Sequence, residues 1–345
     1  MFGRLMKNYY YGKSGQGDFR KDDMPETRMQ LFWDTLKTRL SGLCRLNLLY
    51  MLIWIPAMVI ILLCAGRIYT DLNQVMVIQE NDYAGYVQLV QESGSEATIT
   101  EEQYNELKGE TLDIPAYLEG SVFTMLLYLF PCIAITGPFT AGLCYVTRNW
   151  ARDEHAFIWS DFKDAVKANW KIPLILSAIT GALPALIYQA WIYYGRMAET
   201  SLFMIVPQML VLLVGILWAL CITYMHPITV TYDLKFRGVV RNGFLLGIAR
   251  LPMSVGIRLL HCVPALIAFV AFWFFGLDLM LTLVILGGYY MIIGFSLSRF
   301  VTASYTNAVF DRFINSRIEG AKVNQGLREK EEYDDEDENE GETEE

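Results

Sequence analysis

Six stretches of the chain stay apolar for roughly the length a helix needs to cross a bilayer, and polar or charged segments separate them. They are Leu46 to Gly66, Ser121 to Thr147, Ile172 to Tyr194, Leu202 to Tyr224, Leu259 to Phe275 and Leu279 to Leu297. A hydrocarbon core about 30 Å thick takes about 20 residues of helix to span. Each stretch therefore predicts a spanning helix. Only Gly276, Leu277 and Asp278 separate the fifth stretch from the sixth, and Gly195 to Ser201 join the third to the fourth. Both spacings predict tight hairpins. The expected fold class is all-α, a polytopic membrane bundle of about six helices in three hairpins.

Between the spans the apolar period changes. Phe162, Ala165, Val166 and Trp170 recur at helical spacing among Asp161, Lys163, Asp164 and Lys167, which predicts an amphipathic helix with Ser160 as its cap. Phe32, Leu36, Leu40 and Leu43 make a similar stripe before the first span. Val309, Phe310, Phe313 and Ile314 make another after the sixth. Each stripe is expected to lie along the inner surface or pack under the bundle, and similar sequences after the second, fourth and sixth spans suggest three related hairpins. In the long acidic connection, Thr100 followed by Gln103 has the form of a capping box and predicts a short helix there. Trp191, Tyr193 and Tyr194 at one edge and Trp150 and Trp170 at the other are expected to act as interfacial anchors.

Charge orients these elements. The first 45 residues hold nine Lys or Arg, 148–171 five, 225–254 four, and the segment from Arg299 onward six. The opposite connections hold only Arg67, Lys108 and Arg196. Basic flanks are retained on the cytoplasmic side, so both ends of the chain are expected in the cytoplasm and the protein in the plasma membrane. The expected organisation is an amino-terminal cytoplasmic segment (1–45), a transmembrane domain (46–298) with an acidic outer loop at 67–120, a cytoplasmic amphipathic segment (299–328) and an acidic tail (329–345). That tail carries twelve Asp or Glu against one basic residue and is expected to be disordered. The net charge of −9 thus reflects the tail and the outer loop, and the rest of the chain is net basic.

Composition narrows the chemistry. A chain that is 54% hydrophobic and only 19% charged points to lipid. The polar amino terminus has no signal-peptide pattern. Six cysteines fall in or beside apolar runs without a C-x-x-C pair, so they are expected to be small packing residues. His155, His226 and His261 are scattered, which predicts no metal cluster. No Walker loop or dinucleotide fingerprint is present. No catalytic residue and no cofactor are expected, and the chain is not expected to be an enzyme. The basic faces have the sign for anionic lipid or nucleic acid, and beside six spans the expected partner is membrane lipid.

One run is more individual. Leu129-Phe-Pro-Cys-Ile-Ala-Ile-Thr-Gly-Pro-Phe-Thr-Ala-Gly-Leu-Cys-Tyr-Val-Thr-Arg148, followed by Asp161-Phe-Lys-Asp-Ala-Val-Lys-Ala-Asn-Trp170, resembles the YesL family of bacterial membrane proteins, a family of unknown function. The resemblance continues through Arg241-Asn-Gly-Phe-Leu-Leu-Gly-Ile-Ala-Arg-Leu-Pro252 and Asn307-Ala-Val-Phe-Asp-Arg-Phe-Ile-Asn315. It covers about Met29 to Asn315. It leaves the acidic outer segment and the tail outside the pattern. Family members are often encoded beside carbohydrate uptake systems, so the resemblance implies an accessory or regulatory role in that uptake, with sugar-transporter subunits or another membrane protein as partner. It carries over no catalytic residue.

The residues themselves leave alternatives open. Pro131, Thr136, Gly137, Pro138 and Gly142 form the family motif on the second span. Two prolines seven residues apart fit a broken helix lining a site, or a kinked packing helix in which Gly137 and Ala141 admit a neighbour. Gln189, Gln208, Arg258 and His261 are the polar intramembrane candidates. Were they to line one cavity, the chain would be an autonomous small-molecule permease. A dry interior would instead suit a structural or lipid-interacting protein. The lack of an intramembrane Asp or Glu, apart from Asp278 at a hairpin tip, weighs against an ion-coupled pump.

Overall fold

The computed structural model describes residues 24–94, 99–109 and 113–328. The acidic tail and most of the amino-terminal segment lie outside the described residues. Among the described residues every regular element is helical, and six helices are long and apolar enough to cross a membrane. The chain is an all-α polytopic membrane bundle.

The first helix, α1 (Arg28–Glu80), is one continuous rod of 53 residues. It opens on a capping box, in which the Gln30 N–H donates to Thr27 Oγ1 and the Thr27 N–H donates to Gln30 Oε1. At 1.5 Å per residue such a helix is longer than any bilayer is thick, so both its ends stand in water. The stripe before the first span therefore belongs to the spanning helix itself. Phe32, Leu36 and Leu43 pack into the bundle, while Leu40 is exposed.

Beyond the membrane, α1 meets α2 (Tyr83–Glu92) and α3 (Glu101–Gly109). The capping box of Thr100 and Gln103 forms. Ile78, Tyr86 and Tyr104 make a small core, and the Tyr104 hydroxyl donates to the carbonyls of Ile78 (2.8 Å) and Asn81 (2.7 Å), which holds the end of α1. The acidic connection is thus a folded helical cap. It is tied to the next span where the Tyr117 hydroxyl donates to Asp71 (2.5 Å).

The second span, α4 (Ile114–Trp150), is followed by the short α5 (Ser160–Ala168). Ser160 does not cap α5. Trp159 holds the cap position and Ser160 is already the first helical residue, while the Asp161 carboxylate accepts from the Phe157 N–H (2.8 Å) ahead of the helix. Phe162 and Ala165 are buried under the bundle, whereas Trp170 points away. Trp150 is a core residue. It is 2% exposed, lies against Gly42 of α1 and donates its indole N–H to Ala156 O (3.3 Å). A ring with its one donor satisfied inside has no reason to seek the interface.

The third span, α6 (Lys171–Ala198), and the fourth, α7 (Ile205–Thr231), form the second hairpin, and α8 (Phe236–Ala249) follows on the face that also carries α5. The last hairpin is α9 (Leu251–Phe275) and α10 (Leu279–Tyr289). Its tip turns on Gly276 at φ 65°, a conformation glycine adopts without strain, and Asp278 caps α10 by accepting from the Leu281 N–H (2.9 Å). A five-residue π turn, Tyr290–Gly294, joins α10 to α11 (Phe295–Phe313), so the sixth span runs on past the membrane to Phe313.

Two cores hold the bundle. One gathers Leu43, Leu46, Tyr50, Leu143, Val146, Trp150, Phe162 and Phe300 from α1, α4, α5 and α11. The other gathers Leu176, Tyr224, Met225, Ile228, Val239 and Phe310 from α6, α7, α8 and α11. Both lie toward the face that carries α5, α8, the start of α1 and the end of α11, which we call the basic face. The opposite half is mostly lipid-facing apolar surface. All six cysteines are unpaired; Cys144 and Cys221 are buried, and Cys262 is exposed.

Candidate functional site

The motif of the second span lies where α4 meets α6 and α5. Thr136 and Gly137 are buried, and a Cβ at residue 137 would stand 2.6 Å from the carbonyl carbon of Pro173 and 2.9 Å from Leu174 Cα. Backbone touches backbone there. One turn on, a Cβ at residue 142 would meet Val166 Cγ2 at 2.8 Å and Phe162 Cδ2 at 2.9 Å, which seats α5. The hydroxyls of Thr136 and Thr140 donate back to the carbonyls of Ile133 and Thr136, and Thr140 also meets the Tyr50 hydroxyl of α1 (2.8 Å). Pro138 is half-buried and Pro131 is exposed on the bundle surface. Helix α4 runs unbroken through both prolines.

The four polar intramembrane candidates do not line one path. Gln189 is exposed on α6. Gln208 of α7 donates its amide to Trp191 O (3.2 Å) and closes the turn of that hairpin near the acidic face. Arg258 and His261 lie together on α9, near the other face, with His261 Nε2 beside Ser298 O (3.0 Å) and Thr302 Oγ1 (3.3 Å) of α11. The physical reason is register. Gln208 belongs to the first turn of a helix descending from the acidic face, and Arg258 to the second turn of one rising from the basic face.

Three polar groups missed by a reading of the sequence organise the bundle. Asn47 of α1, fully buried, donates to the carbonyls of Tyr290 (2.8 Å) and Met291 (2.7 Å) and accepts from the Ser296 N–H (2.9 Å). It grips the π turn. Asp311 of α11 accepts from Arg28 (2.7 Å), Asn315 (2.6 Å) and the Asn324 N–H (3.1 Å), so one carboxylate joins the start of α1 to the segment after α11. The Tyr232 hydroxyl, beyond the end of α7, donates to Asn315 Oδ1 (2.7 Å). Burial pushes that phenol up to about 12, against the lowering field of Arg148, so it stays protonated and remains a donor at neutral pH. Asp311 and Asn315 fall within the run Asn307 to Asn315 quoted above, and Asn307 donates to Arg148 O (3.3 Å). A single Asn at the edge of an apolar run was the only signal that pointed to Asn47.

Among the described residues, no group of three or more His, Cys, Asp or Glu is placed to hold a metal ion. The family described as "Protein of unknown function, DUF624" matches residues 117–191, which run from α4 through α5 into α6. The uncharacterized protein YesV of Bacillus subtilis (strain 168) is 31% identical over 154 residues, 41% of this chain and 72% of YesV. The chain belongs to the family of YesV. No solved structure matches it. The stretch shared with DUF624 contains the packing of Gly137 on Pro173 and of Gly142 on α5, while the acidic cap lies before it.

Proposed function

We propose that this protein is a non-enzymatic plasma-membrane accessory to carbohydrate uptake, of the YesL type within its family, with its basic face and both chain ends in the cytoplasm. The reading takes its support from the resemblance of the 129–170, 241–252 and 307–315 segments to YesL proteins. One geometric observation favours it. No residue in the most apolar stretch of α9 is buried, which leaves much of that helix's surface for contact with a second membrane protein. Two further readings compete with it. A permease would use Arg258 and His261 within the membrane, but the two Gln side chains lie off that path. A lipid-interacting role would leave α9 to the bilayer.

Orientation has its own test. A cysteine placed at Ser93, exposed on the acidic cap, is expected to react with an impermeant thiol reagent in intact cells. One at Ser316, exposed on the basic face, is expected to react only after lysis. The reverse pattern would invert the assignment. For the partner, crosslinking and affinity capture from native membranes, with and without plant polysaccharide sugars in the medium, is expected to recover sugar-transporter subunits reproducibly. Recovery of no transporter subunit under either condition would sink the accessory reading and favour the permease.

A further inference from the structure

Helix α8 is held to the bundle along Val239, Gly243 and Leu246, all buried, and at Gly247, where a Cβ would stand 2.8 Å from Cys221 Sγ and 3.2 Å from Cys221 Cα of α7. That contact fixes which side of α8 turns outward. Arg237, Arg241, Leu245 and Ile248 recur there at helical spacing, and all four are exposed, the last two at 56% each. The outward face is therefore divided along its length. Arginine occupies its start, and apolar side chains occupy the end that leads into the spanning helix α9.

At that end α11 comes alongside. Arg250, which closes α8, stands over the Phe313 ring with its guanidinium carbon 5.8 Å from the centroid, and Arg312 stands over the same ring at 5.6 Å. Phe313 packs on the core that holds Val239 and Leu246 of α8. One ring thus anchors two guanidiniums by cation–π attraction and leaves their edges for an anion; Arg250 Nε is buried without a partner. Among the described residues no carboxylate pairs with Arg237, Arg241, Arg250 or Arg312. The run from Lys235 to Arg250 holds four basic residues and no acid. Helix α5, its counterpart after the second span, differs. Its exposed Lys163 and Lys167 flank an exposed Asp164, and Asp161 completes the balance.

This division of the face selects the partner. Exposed Leu245 and Ile248, on a face continuous with a spanning helix, belong among acyl chains. Arg241 and Arg237, one and two turns back, then stand at headgroup level, where phosphate oxygens match the guanidinium fork. A soluble anion has no use for the apolar half of the face. We propose that the outward face of α8, with Arg250 and Arg312, is a binding surface for anionic phospholipid, with headgroup phosphates on the four arginines and acyl chains along Leu245 and Ile248. The surface does not depend on the carbohydrate-uptake reading, since an accessory and a permease would carry it equally.

The test uses the full chain, delipidated in detergent, with bound lipid counted by native mass spectrometry. Phosphatidylglycerol, phosphatidylcholine of the same chains, and glycerol phosphate, which is the headgroup without chains, are each titrated. Phosphatidylglycerol is expected to bind about tenfold or more tightly than phosphatidylcholine, and glycerol phosphate is not expected to displace it. Arg237→Gln with Arg241→Gln, and Arg250→Gln with Arg312→Gln, are each expected to weaken phosphatidylglycerol binding about tenfold or more, since each basic residue at an anionic lipid surface contributes a factor of about five. Lys163→Gln with Lys167→Gln on α5 is expected to bind like the wild type. Arg237 and Arg241 are exposed, so their variant decides the matter should the Arg250 protein not fold. The proposal is overturned if phosphatidylcholine binds as well as phosphatidylglycerol, or if either pair of arginine changes leaves binding by the folded protein intact. It is overturned too if the α5 variant loses as much, which would reduce the effect to net charge. Displacement of the lipid by glycerol phosphate would assign the arginines to a soluble anion and overturn it as well.

Discussion

Asn47→Leu is expected to destabilise the bundle by on the order of 3 kcal/mol, although the substitution adds an apolar side chain to a fully buried position. The reason is the π turn. A five-residue π turn shifts the hydrogen-bond ladder of the sixth span out of step, and Asn47 supplies what the ladder loses: two donors to the carbonyls of Tyr290 and Met291 and one acceptor for the Ser296 N–H. In lipid no water replaces them. Leu would leave three backbone groups short at once. Asn47→Asp is not expected to rescue, because it keeps the acceptor for Ser296 but turns an oxygen toward two carbonyls. Thermal unfolding of the detergent-purified variants by tryptophan fluorescence checks this. An Asn47→Leu protein that unfolds with the wild type would show that the π turn holds itself.

Asn47 also marks the limit of what the sequence discloses. The six spans were legible because length and apolarity in a bilayer are local properties, and the helical hairpin tip at Gly276 and Asp278 followed from its shortness. The capping box of Thr100 and Gln103 was legible for the same reason, since both partners lie within one turn. Asn47 was not, because its partners stand 243 residues or more away in the chain. Trp150 went the same way. Its place at the end of a span fits an interfacial anchor, and only the groove beside Gly42 on a helix a hundred residues earlier makes it a core residue.

The pair on α9 shows the same division. Arg258 and His261 share a face by their spacing of three, which a reading of one helix detects. That His261 meets Ser298 O and Thr302 Oγ1, 37 and 41 residues further on, emerges only once α9 and α11 are packed. Helix length was misjudged for a different reason. An apolar run ends where lipid ends, but α1 and α11 keep their backbone bonds beyond it, so the stripes at Phe32 and Val309 continue the spanning helices and put the two cores at the basic face.

Gly137→Ala is expected to cost about 3 kcal/mol, the upper part of the range for overpacking, because the added methyl would press on backbone that has nowhere to go. Its nearest neighbours would be the carbonyl of Pro173 and Leu174 Cα, in the first turn of α6. Gly142→Ala is expected to cost less, since two of its three close neighbours are side-chain atoms of Val166 and Phe162 and the short α5 can shift. Gly66→Ala, with nothing within 4 Å, is expected to be neutral or slightly stabilising, as alanine suits a helix interior better than glycine. The rank order 137, 142, 66 in unfolding temperature separates close packing from a general intolerance of α-carbon substitution. It also bears on the two prolines. If Gly137→Ala unfolded with Gly66→Ala, α4 and α6 would not be in backbone contact in the membrane, and the broken-helix reading of Pro131 and Pro138, with a transport path beside them, would regain its footing.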